Sequence, residues 1–367
     1  MRVALVHDWL TGLRGGERVL EQICLLYPDA DIFTLIHVPG SCGEIIERHR
    51  IVTSFLDRLP REQYRRYLPL FPLAVESFDL NSYNLIISTS HAVAKGCKPA
   101  KGALHVSYIH TPMRYVWDQF DAYFGPGRAG LATRLAANLV APFLRSWDVR
   151  STARVDGLIA NSNFVGDRIR RYWHREPDAV IYPPVDTARF VPSAEGPDDY
   201  ALIVSALVPY KLVELAIKAF SLLGKPLIVA GDGPSRAALQ ALAGPTVRFL
   251  GSVSHDELPR LYARAKFFVL PGEEDFGIAP VEAQAAGRPV LALGRGGALE
   301  TVIENETGIF FKEPSVESLL EGIKAIEKLQ ADPQRIRAHA QRFDSARFGP
   351  ELQAAIARIS SGKTPSR

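Results

Sequence analysis

Short apolar runs alternate with amphipathic stretches along almost the whole chain. Short apolar runs are typical of buried strands, and apolar residues every three or four positions are typical of helices. In the first half, the predicted strands are 2–6, 31–36, 85–88, 104–109, 157–160 and 179–182. The predicted helices between them are 16–27, 62–68, 113–123, 131–154 and 164–173. This alternation indicates a parallel sheet covered by helices.

The second half repeats the pattern. Its predicted strands are 201–205, 226–230, 247–250, 267–270, 289–292 and 308–311. Its predicted helices are 211–223, 235–241, 255–264, 280–286 and 316–329. The stretch 183–199 has no periodicity and several prolines, so it separates the halves. We therefore predict an α/β protein with two doubly wound, Rossmann-like domains, at 1–185 and 186–345.

Composition and charge narrow the class of protein. Lysines and arginines number 43 against 40 acids, a net charge of +3. This excess is too small for a nucleic-acid-binding protein, although it permits an anionic acceptor or a membrane surface. Cys24, Cys42 and Cys97 form neither a metal-ligand spacing nor an even disulfide set, which indicates a reducing, cytoplasmic compartment.

Two segments bear on membrane contact. The apolar stretch 129–144 contains Arg134 and Pro142, so we do not expect it to span a bilayer. Residues 55–73 mix four arginines with aromatic residues and prolines. They could form a peripheral contact with the anionic inner face of the cytoplasmic membrane, or an ordinary amphipathic helix covering the sheet.

Two glutamates, Glu274 and Glu282, flank a Phe-Gly turn and a proline. Gly277 allows the turn, and Pro280 is expected to begin a helix because its missing N–H costs nothing in the first turn. Glu282 would then lie in that first turn. Carboxylates accept hydrogen bonds from sugar hydroxyls, and free N–H groups at a helix start bind phosphate. This pattern suits a sugar nucleotide.

Residues 271–311 resemble the donor-site signature of retaining glycosyltransferase family 4 (glycosyl transferases group 1), in which seven residues separate two glutamates. The likeness continues through Gly-Arg-Gly-Gly-Ala-Leu-Glu at 294–300 and Glu-Thr-Gly at 306–308. It implies the GT-B architecture, two Rossmann-like domains facing across a cleft, with a last helix (about 346–367) packing back on the first domain. The donor-binding residues it implies here are Glu274, Phe276, Gly277, Ile278, Ala279 and Glu282.

The second domain offers further donor-site candidates. Lys211 follows a strand and a Pro209 turn, where a cation can neutralise a diphosphate. The family commonly has an arginine five residues earlier, but Ala206 stands there, and Arg295 and Arg14 are both conceivable replacements. Gly251 ends a strand beside the expected place of the nucleotide base, and nothing in the sequence identifies that base.

In the first domain, Gly15 and Gly16 precede a helix, where backbone N–H groups can reach a phosphate without an intervening Cβ. They resemble the family's Gly-Gly-x-Glu loop, which contacts the donor diphosphate or the acceptor, so Gly15 and Gly16 are further donor-binding candidates. His110 ends a strand, and the resemblance implies that it hydrogen-bonds the donor sugar and stabilises developing charge. The acceptor-binding candidates are His91, Arg114 and Tyr115.

No covalent nucleophile is evident, so the catalytic candidates are His110, Lys211 and Glu274. The two glutamates could also suggest a glycosidase pair, but they stand beside a phosphate site. The resemblance implies retention at the anomeric carbon, with the leaving phosphate taking the acceptor proton. Asp29 and Asp31 form a literal Asp-x-Asp pair before a strand. We interpret that pair as structural and predict no required metal or other cofactor.

Within the family, Val-His-Asp-Trp-Leu-Thr-Gly at 6–12 and His-Thr-Pro-Met-Arg-Tyr at 110–115 resemble bacterial mannosyltransferases of O-antigen and exopolysaccharide assembly. This likeness implies GDP-mannose as donor and a lipid-linked or oligosaccharide acceptor in cell-surface polysaccharide and lipopolysaccharide synthesis. A UDP-sugar donor, a GT-B sugar-nucleotide epimerase or phosphorylase, and a non-catalytic sugar-nucleotide sensor remain alternatives.

Overall fold

The computed structural model describes residues 1–125 and 130–362. The chain divides into two compact units. Unit 1 comprises Met1–Pro184 and the chain from Ala346 onwards, and unit 2 comprises Val185–Ser345. The boundary between them falls directly after the Pro183-Pro184 pair, where two fixed φ angles and missing N–H groups prevent regular structure.

Unit 1 is built on a seven-stranded sheet. Its strands are β1 Val3–His7, β2 Asp31–Thr34, β3 Ile51–Thr53, β4 Leu85–Ser90, β5 Leu104–Ile109, β6 Gly157–Ala160 and β7 Ala179–Val180. Their order is β3-β2-β1-β4-β5-β6-β7, and every neighbouring pair is parallel. Leu5 of the central strand β1 pairs with Ile32 on one side and Ile87 on the other, and all three are buried.

Helices cover both faces of this sheet, with a separate apolar core on each face. They are α1 Gly15–Leu26, α2 Glu44–Glu47, α3 Phe71–Glu76, α4 Phe120–Phe124, α5 Leu131–Ser151 and α6 Asn163–Trp173. Short 3₁₀ helices occupy Phe55–Arg58, Arg61–Leu70, Ala94–Gly96 and Thr152–Arg154.

Two helix predictions in unit 1 were wrong. The segment predicted as an α-helix at 62–68 is part of the 3₁₀ helix Arg61–Leu70, which contains Pro69 and therefore lacks one backbone donor. Most of 113–123 is turns, and α4 includes only its end. There Arg145 Nε donates to Val116 O at 2.5 Å and Trp117 Nε1 donates to Asp148, so tertiary bonds replace helical ones.

Unit 2 repeats the architecture with six parallel strands. They are β8 Ala201–Val204, β9 Leu227–Ala230, β10 Val247–Gly251, β11 Phe267–Leu270, β12 Val290–Leu293 and β13 Gly308–Phe311, in the order β10-β9-β8-β11-β12-β13. The helices are α7 Val213–Leu223, α8 Arg236–Ala241, α9 Leu258–Arg264, α10 Ile278–Ala285, α11 Ala298–Thr301, α12 Val316–Ile326 and α13 Pro333–Ala340. The predicted pair of Rossmann-like domains is confirmed.

The last helix, α14 Ser345–Gly362, packs on unit 1. Its apolar side chains Phe348, Leu352, Ala355 and Ile356 are buried in the same cluster as strands β1, β4 and β5. Tyr108 of β5 meets Phe348 with ring centroids 5.6 Å apart. Residues 363–367 of the predicted helix lie outside the described residues.

Within residues 1–125 and 130–362, no helix combines the length and the apolar character needed to cross a bilayer. Ala129, the first residue of the stretch 129–144 discussed above, lies outside the described residues.

A buried ion pair anchors the loop that follows β4. Lys95 is fully buried, and its Nζ donates to Asp148 O and Ser151 Oγ at 2.7 Å each. The same Nζ lies 2.9 Å from Asp148 Oδ1 and 4.6 Å from the ring centroid of Trp173. Burial lowers the pKa of Lys95, and the Asp148 charge opposes that shift. The loop after β4 is thereby fixed to α5 and α6.

We expect Lys95→Met to lower the free energy of unfolding by about 3–5 kcal/mol, because it leaves the buried Asp148 carboxylate without its cation. Lys98→Met is the matched control, since Lys98 pairs with Glu76 while 55% of its side chain is exposed. The control should cost less than about 1 kcal/mol. Urea unfolding of both variants measures the difference, and equal losses would contradict the role given to Lys95.

Candidate functional site

The strand order of each sheet marks one place for a ligand. In unit 1 the order reverses between β1 and β4, and in unit 2 it reverses between β8 and β11. Connections on either side of such a switch point leave in opposite directions, which opens a crevice at the carboxyl ends of the strands. Several of the site residues predicted from the sequence follow these four strands.

In unit 2, the structure brings Lys211 and Glu274 together. Lys211 ends the 3₁₀ helix Pro209–Lys211 after β8, and Glu274 lies in the loop after β11. Lys211 Nζ donates to Glu274 Oε1, and 17% of each side chain is exposed. Lys211 does not open α7 as expected, because Leu212 intervenes in a left-handed conformation (φ 52°). The result is a cation and an acid at the switch point.

The glycines of the 294–297 loop fix the backbone around Glu274. The Gly297 N–H donates to Glu274 O at 2.8 Å. Gly296 has φ 65°, and a Cβ there would lie 2.5 Å from the same oxygen. A Cβ on Gly297 would collide with Phe276 Cα. The glycine pair is therefore required by the close approach of two loops.

Helix α10 begins two residues earlier than predicted. Gly277 is its N-cap (φ 92°), and Ile278 and Ala279 are its first two residues. Pro280 is thus the third residue of the helix. Glu282 lies in its second turn, so the prediction that Glu282 lies in the first turn was wrong. As a glycine, the N-cap residue has no side chain with which to cap the helix. Its first N–H groups have no helical acceptor, as at any helix start.

Glu282 is held by a tyrosine that the sequence did not identify. Tyr262 of α9 is fully buried and donates its hydroxyl to Glu282 Oε2 at 2.7 Å. Burial, and then the Glu282 charge, raise the pKa of Tyr262 well above its ordinary value, so the hydroxyl stays a donor. Phe276 is also buried, with its ring centroid 5.4 Å from that of Phe343. No pattern around residue 262 distinguishes it from a core tyrosine.

Gly251 lies beside the turn that follows β9. Its carbonyl accepts from the Gly231 N–H at 2.7 Å, and a Cβ on it would lie 3.1 Å from Arg236 Nη1. That guanidinium also donates to Asp232. The structure therefore groups Gly251 with a cation that the sequence did not single out.

Ala206, which replaces the family's usual arginine, is exposed in the loop after β8. Of its two conceivable replacements, Arg295 donates to Glu313 Oε2 at 2.7 Å and is 44% exposed. Arg14 lies in unit 1, where its backbone N–H donates to Glu17 Oε2 at 3.0 Å. Neither contact identifies a phosphate ligand.

In unit 1, Asp8 organises the switch point. This fully buried carboxylate directly follows β1 and accepts four backbone N–H bonds of 2.7–2.9 Å, from residues 91 to 94 after β4. His91 Nδ1 is 3.1 Å from Asp8 Oδ2. A carboxylate only accepts, so His91 carries its hydrogen on Nδ1. This role of Asp8 was not predicted, because its four backbone donors lie 83 to 86 residues away in the sequence.

Burial lowers the pKa of His91 and outweighs the opposing Asp8 charge, so the ring is neutral near pH 7. Its Nε2 then has a free lone pair. Within the part of the chain that the structure describes, nothing hydrogen-bonds this nitrogen, and 28% of the His91 side chain is exposed. His91 is therefore a hydrogen-bond acceptor at the carboxyl end of the sheet.

His110 follows β5, and its N–H donates to Ser90 O at 2.9 Å. Its ring centroid lies 6.2 Å from that of His91. Burial lowers the pKa of His110 to about 3, with smaller contributions from His91 and His7. Among the described residues its buried Nε2 has no hydrogen-bond partner. It is thus a neutral imidazole that can hydrogen-bond a ligand.

The predicted glycine loop lies against this histidine. Gly15 and Gly16 are the first two residues of α1, and a Cβ on Gly16 would lie 3.6 Å from His110 Nε2. Glu17, the next residue, is buried, and its Oε1 lies 3.6 Å from His7 Nε2. Burial favours a higher pKa for Glu17, but its contacts with His7 outweigh burial and hold the pKa below the ordinary value. Free N–H groups, an acid and two histidines therefore meet here.

Tyr115 and Arg114 lie just beyond His110. The Tyr115 hydroxyl is buried without a hydrogen-bond partner in the described residues, and burial raises its pKa well above the ordinary value. Arg114 is half-buried, and its charge contributes to the lowered pKa of His91. Three of the predicted first-domain residues, His91, His110 and Gly16, thus adjoin one another.

Comparison with known proteins agrees with this geometry. Residues 13–189 match Glycosyltransferase Family 4, and residues 185–343 match Glycosyl transferases group 1. The GDP-mannose-dependent alpha-(1-6)-phosphatidylinositol monomannoside mannosyltransferase of Mycobacterium tuberculosis is 35% identical over 170 residues, which are 38% of this chain and 44% of that protein. The chain thus spans less than half the length of this curated relative.

Two further proteins extend the likeness over more of the chain. Alpha-1,3/1,6-mannosyltransferase ALG2 of Saccharomyces cerevisiae is 26% identical, covering 82% of this chain and 71% of that protein. The solved structure of Anabaena HepE in complex with UDP-glucose has a TM-score of 0.68 at 19% identity, covering 99% and 100% of the two chains. Its fold, shared almost end to end, is that of GT-B glycosyltransferases. The chain therefore belongs to the glycosyltransferases, with a glycosyltransferase family 4 domain followed by a glycosyl transferases group 1 domain.

Proposed function

We propose that this protein is a retaining hexosyltransferase that moves mannose from GDP-mannose to a lipid-linked or oligosaccharide acceptor in cell-surface polysaccharide synthesis. The observation that carries the proposal is the Lys211–Glu274 pair at the switch point of unit 2. The names of two relatives, both mannosyltransferases and one GDP-mannose-dependent, support the choice of sugar. The site in unit 2 would take the donor.

The Lys211–Glu274 pair suits an exchange of partners. In the free protein the ammonium and the carboxylate neutralise each other. A diphosphate carries more negative charge than one carboxylate, so it would draw Lys211 away and leave Glu274 free to accept from a sugar hydroxyl. Lys211 and the start of α10 would then stabilise the charge that develops on the leaving diphosphate. Glu282, oriented by Tyr262, would bind a second hydroxyl.

The acceptor would bind at the switch point of unit 1. His91 offers a lone pair on Nε2 with its tautomer fixed by Asp8, which suits a sugar hydroxyl. His110 Nε2, which has no hydrogen-bond partner among the described residues, could hydrogen-bond a sugar hydroxyl, and Arg114 could pair with a phosphate of a lipid-linked acceptor. The departing phosphate would take the proton of the attacking hydroxyl, so the protein supplies orientation and charge stabilisation. No metal is required in this scheme.

A UDP-sugar donor is the second candidate. Anabaena HepE has a similar fold, and its solved structure contains UDP-glucose. The grouping of Gly251 with Arg236 fits either base. A sugar-nucleotide epimerase and a non-catalytic sensor would share the donor site without transferring a sugar.

We expect GDP and GDP-mannose to raise the melting temperature in the absence of added metal, while UDP and UDP-glucose leave it unchanged. A ligand present at 100 times its Kd stabilises the folded state by about 2.7 kcal/mol. A thermal-shift screen with and without EDTA measures this effect. A rise in melting temperature with UDP and UDP-glucose alone would show that the donor is a UDP-sugar and not GDP-mannose. A shift that EDTA abolishes would contradict the metal-free scheme.

Lys211→Met should slow GDP release from GDP-mannose by about 10²–10³-fold, since it removes a charge that faces the leaving group. Lys218→Met is the matched control. It removes a lysine from the following helix, where Lys218 pairs with Glu214 at 3.1 Å on the exposed surface. We expect the control to keep wild-type rates. Wild-type turnover in Lys211→Met, with folding intact, would refute the assignment.

His91→Asn and His91→Gln separate the two nitrogens of that ring. The asparagine amide can still donate to Asp8 but offers nothing at the Nε2 position, whereas glutamine can reach that position. With octyl α-D-mannopyranoside as acceptor, we expect His91→Asn to lose about 10²-fold in transfer and His91→Gln about tenfold. Donor hydrolysis without acceptor should be unchanged in both, and a matching loss of hydrolysis would show that His91 does not act on the acceptor.

A further inference from the structure

Four large apolar side chains form one exposed row on helix α5. Leu131, Leu135, Leu139 and Phe143 expose 70%, 63%, 82% and 53% of their surface. A spacing of four residues places successive side chains on the same face of a helix, with a small drift from turn to turn. We call these four residues the α5 stripe. Single exposed leucines are ordinary, but a contiguous apolar row marks an interaction surface.

The helix is attached to unit 1 by its second half. The buried residues of α5 are Ala141, Leu144, Trp147, Asp148 and Ser151. Trp147 Nε1 donates to Glu76 at 2.7 Å, and Arg145 Nε donates to Val116 O. The first half has no buried residue, so the anchored half holds the stripe out into solvent.

The part of α5 that carries the stripe has basic residues and no acid. Between Leu131 and Trp147 the helix contains Arg134 and Arg145 and no aspartate or glutamate. Among them, Arg134 is half-buried within the first half of α5. An apolar helix face beside basic residues, with acids absent, is the pattern of helices that lie in the interface of an anionic bilayer. Each basic residue near such a surface contributes about 1 kcal/mol.

The segment 55–73, which the sequence suggested as a membrane contact, is less suited to that contact. Arg61 makes two 2.9 Å bonds with Asp57, and Arg66 donates to Gln63. Its most exposed apolar residue is Leu73, at 61%. Tyr67 and Leu68 of the same segment pack on the same core cluster as Val140 of α5. The structure thus moves the main apolar contact from this segment to α5.

A second copy of the chain is a poorer occupant than a bilayer. Stable protein interfaces engage about 20–30 residues on each partner. The α5 stripe offers four large side chains in a single row, which is too narrow for such an interface but sufficient for shallow insertion between lipid headgroups.

We propose that the α5 stripe binds the protein to an anionic membrane surface by inserting among the lipid headgroups. The proposal rests on the proposed function in one respect, since a lipid-linked acceptor would lie in that membrane. Membrane binding itself needs neither donor nor acceptor. The two can therefore fail separately.

Co-sedimentation with vesicles tests the stripe. We expect the wild-type protein to bind vesicles of phosphatidylglycerol and phosphatidylethanolamine and to bind phosphatidylcholine vesicles at least tenfold more weakly. Leu135→Ser/Leu139→Ser should lower binding to the anionic vesicles at least tenfold. Leu222→Ser is the matched control, because Leu222 of α7 is a lone exposed leucine at 72%. Arg134→Gln should weaken binding about fivefold.

Three results would overturn the proposal. One is absence of vesicle binding by the wild-type protein, and another is equal loss in the Leu222→Ser control. The third is a dimer in light scattering that Leu135→Ser/Leu139→Ser converts to monomer, which would assign the stripe to a second copy. The thermal shift with GDP should persist in every variant. If GDP gave no thermal shift in the wild-type protein or in any variant, that result would count against the donor assignment and not against the stripe.

Discussion

The strand order of the two parallel sheets is the constraint on which the rest depends. Each sheet reverses its order beside its first strand, so that loops leave in opposite directions at β1/β4 and β8/β11. Both candidate sites occupy these positions. In unit 1, Asp8 at the end of β1 accepts hydrogen bonds from main-chain N–H groups of the loop after β4 and so connects the two strands at the reversal. In unit 2 it is bridged by the side chains of Lys211 and Glu274.

These two solutions differ in what a ligand can change. A buried carboxylate with four N–H donors has no spare capacity, and removing any donor would leave a charge unsolvated. Asp8 therefore acts as a fixed frame for His91. A single ionic contact between two side chains that are both partly exposed is easier to exchange, since an incoming phosphate can replace the Glu274 carboxylate beside Lys211. Under the proposed function, rigidity in unit 1 suits the orientation of the acceptor, and exchangeability in unit 2 suits the capture and release of the donor.

The sequence predicted the sheets well because strands buried on both faces must be continuous apolar runs. It failed where tertiary bonds compete with local ones, as at 113–123, where Arg145 takes the Val116 carbonyl. The glutamate motif located Glu274 and Glu282, but not Tyr262, because a buried tyrosine leaves no local pattern. The role of Asp8 was not predicted, since its partners lie 83 to 86 residues away. The leucines of α5 repeat like a core-facing row, and only coordinates reveal that they face water.

The position of α14 has a consequence for how the chain is made. Unit 2 is an insertion between two parts of unit 1, whose core includes Phe348, Leu352 and Ile356 from the end of the chain. During synthesis the sheet of unit 1 emerges first, but the apolar core on the face that α1 covers lacks the side chains of α14 until unit 2 has been made. Unit 2 has all of its own strands and helices by residue 345 and can close earlier. Unit 1, whose sheet is translated before unit 2, therefore completes this core only after unit 2 has been translated.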